Sequence, residues 1–140
     1  MAALVDAEPE TQAIGRRLQT APGVGPIVAA TLIAEMPELG QLDRRRIAAL
    51  AGLAPIARDS GKRVGPRSIG GGWPVVRTIL YLAALQASRR SLVFRTFRER
   101  LTVAGKPTKA ALTATARKLL DTLNAMLATG TDYEPATAAA

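Results

Sequence analysis

A chain of 140 residues with 48% hydrophobic side chains is long enough for one domain with a real core, which excludes a disordered protein. It has no cysteine and no histidine, and this removes a disulfide framework, the common zinc sites and every histidine-based catalytic dyad. The net charge is +8, and between Gly15 and Gly130 all 19 Lys and Arg residues face only six Asp and Glu, a net of +13 that favours a nucleic acid or anionic surface over a plain solvated face.

The N-terminal MAALVDAEPE is acidic where a signal peptide is basic. No apolar run approaches the ~18 residues that cross a bilayer, so a soluble, intracellular protein without a membrane partner is expected. Residues from about Glu8 to Thr20 read as a short helix leading into Pro22-Gly23-Val24-Gly25-Pro26. In that turn Gly23 and Gly25 can take positive φ without steric cost, and Pro26 is pre-set for the first turn of a helix that runs from Ile27 to Glu35 and stops at Pro37. Backbone N–H groups of such a turn, with a helix N-terminus behind it, attract an anion. This is the pattern of a helix-hairpin-helix element, in which Pro22, Gly23, Val24 and Gly25 would grip phosphates without reading bases. A bare Gly-x-Gly also occurs as a simple turn between helices; here Leu18 before it and the apolar helix after it fit the fuller pattern.

Asp43 can cap a third helix, Arg44 to Ala51, with Gly52 as its stop. Ile56 to Gly72 is the only long irregular segment and carries five glycines. Pro74 starts a helix to about Arg89, its faces marked by Val75, Ile79, Leu82 and Leu85 or Gln86, and a basic helix follows from about Leu92 to Val103. The last helix begins at Pro107 with Leu112, Ala116, Leu119, Leu123 and Met126 on one core stripe and Lys106, Lys109, Arg117 and Lys118 on the other face. From Thr129 onward the Ala/Thr-rich tail reads as frayed. No segment has strand periodicity, so the expected fold is all-α: a helix-hairpin-helix element, a Gly-rich basic loop and a small helical bundle.

Any chemistry sits in Arg58-Asp59-Ser60-Gly61-Lys62-Arg63. A serine hydroxyl can attack a phosphodiester in line, leaving a phosphoserine link and a free 3′-hydroxyl, if a base takes its proton and cations hold the non-bridging oxygens. Arg58, Lys62, Arg63 and Arg67 can hold the oxygens, but Asp59 is the only nearby base. Asp43, Asp59, Glu99 and Asp121 are too scattered to form a two-metal nuclease cluster. On these residues alone Ser60 reads more often as a turn residue than as a nucleophile, and composition supports no more than a DNA-binding domain.

Five ordered blocks go further: PGVGPIVAATLIAEMPELG, RRRIAALAGLAPIARDSGK, RSIGGG, VRTILYLAAL and GKPTKAALTATARKLLDTLNAML. Together, from about Leu18 to Leu127, they resemble the C-terminal domain of the insertion-sequence transposases of the IS116/IS110/IS902 type. The resemblance implies that Ser60, in the family's Asp-Ser-Gly motif, is the catalytic nucleophile and that Pro22 to Pro26 is the hairpin turn. Arg77 would join Arg58, Lys62, Arg63 and Arg67 in binding nucleic acid. It further implies Mg2+ held by the acids of a RuvC-like N-terminal domain absent from this chain, no cofactor in the chain itself, DNA and a structured guide RNA as partners, and assembly as a homo-oligomer or with intact transposase.

The expected organisation is then an acidic lead-in at 1–17, the transposase domain at 18–128 and a disordered tail at 129–140. Within the domain, 18–55 is the hairpin part, 56–72 the serine-bearing loop and 73–128 the remaining helices. A bacterial, nucleoid-associated cytoplasmic location follows from that resemblance. Two other readings stay open: a truncated, inactive remnant that binds nucleic acid or intact transposase, and a helical module with no nucleic-acid role.

Overall fold

The computed structural model describes residues 9–53 and 73–135, and among them it contains six helices and no strand. They are α1 (Pro9–Leu18), α2 (Pro26–Glu35), α3 (Arg44–Leu50), α4 (Trp73–Arg90), α5 (Leu92–Val103) and α6 (Thr108–Thr129). The boundaries follow local chemistry. Pro26 occupies the first turn of α2, and the Asp43 side chain caps α3 by accepting from the Arg46 N–H at 2.8 Å. Gly52 closes α3 at φ +74°: its N–H donates to Ala49 O and that of Leu53 to Ala48 O, the paired bonds of a Schellman stop. Gly105 ends α5 in the same way at φ +99°. One residue, Ser91, separates α4 from α5, and its hydroxyl accepts from the Phe94 N–H at 3.4 Å.

α6 is the centre of the molecule. It packs on α4, α5, α3 and α1, and the expected stripe of Ala116, Leu119, Leu123 and Met126 is buried, with Leu112 packed at its edge. Burial extends beyond that stripe to Thr115 and Thr122, whose hydroxyls donate back to the Ala111 and Lys118 carbonyls at 2.8 Å each, so neither polar group is left without a partner. Asn124, also buried, holds the α2–α3 connection: its Nδ2 donates to Leu42 O at 2.9 Å and its Oδ1 accepts from the Gly40 N–H at 2.6 Å.

Three sequence expectations differ from what is observed. The core face of α4 is Val76, Leu80, Ala83, Ala84 and Ala87, whereas Val75 and Leu82 are 46% and 58% exposed. The close approach of neighbouring backbone selects alanine there, and alanine leaves little trace in a hydrophobic pattern. Lys118 does not decorate an outer face. It is only 7% exposed, with Nζ 5.0 Å from the Phe97 ring centroid and 5.9 Å from that of Phe94.

The start of the tail is attached as well. Arg17 Nε donates to Asp132 Oδ1 at 3.1 Å, the Tyr133 N–H donates to Thr20 Oγ1 at 2.9 Å, and the Tyr133 ring lies 6.5 Å from Phe94. These contacts tie the segment after α6 to α1 and α5.

Candidate nucleic-acid interface

The α1–α2 turn is built so that its two glycines do different work. Leu18 and Val24 point into the core, at 0% and 6% exposure, and anchor the turn from both sides. Gly23 adopts φ +84° and faces α4, where an added Cβ would overlap the Ala83 carbonyl and stand 2.9 Å from the Ala87 nitrogen. Gly25 is extended, at φ −99°, and has open space where its side chain would be. It is the N-cap of α2 and provides no side-chain capping bond. No acidic residue lies in the first turn of α2. The uncapped N–H groups and the positive end of the helix dipole are therefore presented outward without a competing negative charge. Pro22, half-buried, completes the turn.

Arg77 is placed elsewhere. It lies on α4 six residues before Ala83, about 9 Å along the helix, and its Nη1 lies where a side chain at Gly52 would go, 2.5 Å from that added Cβ. Gly52 thus makes room for the arginine at the end of α3. Ser60, Arg58, Lys62, Arg63 and Arg67 lie outside the described residues, as does the 56–72 loop.

A second cationic group lies at the α4–α5 corner, where sequence reading assigned no site. Arg89, Arg90 and Arg95 are exposed and Arg98 is half-buried. Arg95 Nη2 donates to the Arg89 carbonyl at 3.0 Å and Arg98 Nη1 to Ser88 Oγ at 3.4 Å. No carboxylate pairs with any of the four among the described residues; the ion pairs observed are Arg17–Asp132 and Arg46–Asp43. The signal in the sequence was Arg-Arg immediately before a Ser N-cap with a further Arg one turn into the next helix.

Elsewhere the surface is less suited to polyanions. A cleft of about 490 Å³ between α3, α6 and the C-terminal segment is lined by Asp121, Asp132 and Glu134 beside Arg44. Burial pushes the Asp121 carboxyl above its ordinary value, opposed by Arg44, Arg117 and Lys118. Desolvation lowers the Lys118 ammonium, with Arg100 adding to the effect and Asp121 opposing it. Among the described residues no group of three or more Asp or Glu is placed to hold a metal ion, and no helix is long and apolar enough to cross a membrane.

Comparison with known proteins bears on the same region. The transposase IS116/IS110/IS902 family profile matches residues 15–99, a span that includes the glycine turn and the α4–α5 corner. The chain is 37% identical over 130 residues to the insertion element IS900 uncharacterized 42 kDa protein of Mycobacterium paratuberculosis, covering 85% of this chain and 31% of that protein. Identity is 33% over 124 residues to the insertion element IS116 uncharacterized 44.8 kDa protein of Streptomyces clavuligerus, covering 85% of this chain and 30% of that protein. To the insertion element IS110 uncharacterized 43.6 kDa protein of Streptomyces coelicolor it is 31% over 134 residues, covering 94% and 32%. The chain thus spans about a third of the length of the curated relatives it matches.

Proposed function

The chain belongs to the transposase IS116/IS110/IS902 family, and on that premise we propose that it is the DNA-binding, serine-bearing domain of an insertion-sequence transposase. The observation that carries the binding half is the asymmetry of the glycine turn: Gly23 is packed on α4, while Gly25 leaves the first turn of α2 open to an anion. The turn presents only backbone groups, so it would position a phosphate backbone without reading sequence. In this reading recognition of sequence falls to a structured guide RNA, and the working form is an oligomer.

The catalytic half rests on Ser60 in Asp59-Ser60-Gly61, flanked by Arg58, Lys62 and Arg63. The Ser60 Oγ would attack the phosphorus as the 3′-oxygen leaves, giving a 5′-phosphoserine link and a free 3′-hydroxyl. The neighbouring cations would balance the charge gathering on the non-bridging oxygens. Mg2+ would be brought by the acids of a RuvC-like domain, and its chemistry there would be to assist proton removal and charge stabilisation.

The test is a recombination assay with this chain supplied with a family RuvC-like domain and guide RNA. Ser60→Ala is expected to abolish the covalent protein–DNA link and strand exchange, leaving DNA affinity within about twofold because a neutral hydroxyl releases no counterion. Strand exchange by the Ser60→Ala protein would remove the nucleophile assignment.

A further inference from the structure

The packing of Gly23 on Ala83 and Ala87 fixes where the α4–α5 corner lies. Arg90 follows Ala83 by seven residues and Ala87 by three, so on a helix of 3.6 residues per turn it continues the same stripe, about 4.5 Å beyond Ala87. The guanidinium groups of Arg89 and Arg90 form no ion pair among the described residues. Arg95, bonded back to the Arg89 carbonyl at 3.0 Å, is held at the same corner. Between them stands Leu92, 69% exposed at the first position of α5.

We propose that this corner, Arg89, Arg90 and Arg95 around Leu92, is a second nucleic-acid contact that engages the same duplex backbone as the glycine turn. Three features separate it from an ordinary solvated face. No carboxylate among the described residues forms an ion pair with its charges. All of them are arginines, whose planar forks match phosphate oxygens in pairs. The packing of Gly23 on Ala83 and Ala87 puts Arg90 about one turn further along the same stripe of α4, so one junction carries both the turn and the corner. An exposed leucine within three residues of three arginines also has the composition of the apolar wedges that approach a minor groove. A single exposed leucine is too little apolar surface for a bilayer-inserting face. The identity of the polyanion rests on the transposase reading; the location of the contact rests on the geometry.

The test is fluorescence anisotropy of the full chain with a labelled mixed-sequence duplex of about 30 base pairs, over about 50 to 200 mM salt. Wild type is compared with Arg89→Ala/Arg90→Ala, with Arg89→Lys/Arg90→Lys, and with Lys106→Ala/Lys109→Ala, which removes equal charge from two exposed positions at the start of α6 and just before it. Losing two phosphate contacts is expected to flatten the log–log salt dependence by roughly 2 and weaken binding about tenfold, equally for unrelated sequences. The lysine pair should keep the wild-type slope, and the Lys106/Lys109 pair should stay within about 0.5 of it. If the two alanine pairs behave alike while wild type binds, the corner is not a contact and the transposase reading stands. If wild type binds no duplex even at the lowest salt, both fall. Preferential binding to phosphatidylserine vesicles, lost in Arg89→Ala/Arg90→Ala, would overturn the proposal in favour of a membrane surface.

Discussion

Gly23 and Ala83 are packed so that the α-carbon of one abuts the main-chain carbonyl of the other, with no room between them for a methyl group. This contact joins the hairpin turn to α4 and gives the two glycines of the turn different sensitivities. Gly23→Ala combines a left-handed backbone with overlap on α4 and should cost roughly 3 kcal/mol. Gly25→Ala, at negative φ in open space, should stay within about 1 kcal/mol of wild type. Urea unfolding of the two single variants measures both, and equal losses would contradict the packing described.

Gly25→Asp separates stability from binding. An aspartate at the N-cap accepts from the open N–H groups of α2 and complements its dipole, for a gain of about 1 kcal/mol. The same carboxylate occupies the place offered to a phosphate, so DNA affinity should fall as the melting temperature rises. A more stable variant with undiminished DNA binding would remove the turn from the interface.

Asn124 joins α6 to a loop more than 80 residues earlier in the chain. Replacement by Leu leaves the Gly40 N–H and the Leu42 carbonyl without their bonds and should destabilise by about 2–3 kcal/mol. Denaturant titration checks this, and Asn124→Asp distinguishes the two bonds because it retains only the acceptor.

Tyr133 rests on Phe94 while its N–H bonds to Thr20. Tyr133→Ala is expected to cost roughly 1–2 kcal/mol, and truncation after Gly130 at least as much. A truncation with no effect on the thermal midpoint would show that the attachment contributes nothing to stability.

Asp121 and Lys118 give stability opposite dependences on pH. The folded Asp121 carboxyl titrates above its unfolded value, so its contribution is most favourable below the ordinary carboxylate range and is lost as pH rises through the raised folded value. Asp121→Asn should therefore stabilise the protein at neutral pH, and the advantage should shrink on acidification. Lys118 titrates below its unfolded value; its contribution is present above the ordinary lysine range and lost as pH falls through the lowered one. The difference between Lys118→Met and wild type should accordingly narrow at alkaline pH. Guanidinium melts at several pH values read both slopes.

Local punctuation made the helices legible in the sequence. Pro26, the Asp43 cap and Gly52 act within a few residues of where they stand, so the observed helices begin and end close to the expected positions. Family membership was also legible, because ordered motif blocks survive independently of packing. The core face of α4, the burial of Lys118 and the attachment of Tyr133 were not, since each depends on a partner distant in sequence: Gly23, the Phe94–Phe97 pair and Thr20.

For the candidate interface the division is similar. The sequence alone determined that a glycine turn opens α2 and that cations dominate the chain, because turn chemistry and charge are local properties. Only the tertiary structure decided which glycine faces solvent, that Arg77 lies over Gly52, and that Gly23 packs on Ala83 and Ala87 of α4. Those relations are set by the close approach of one backbone to another, which no single segment encodes.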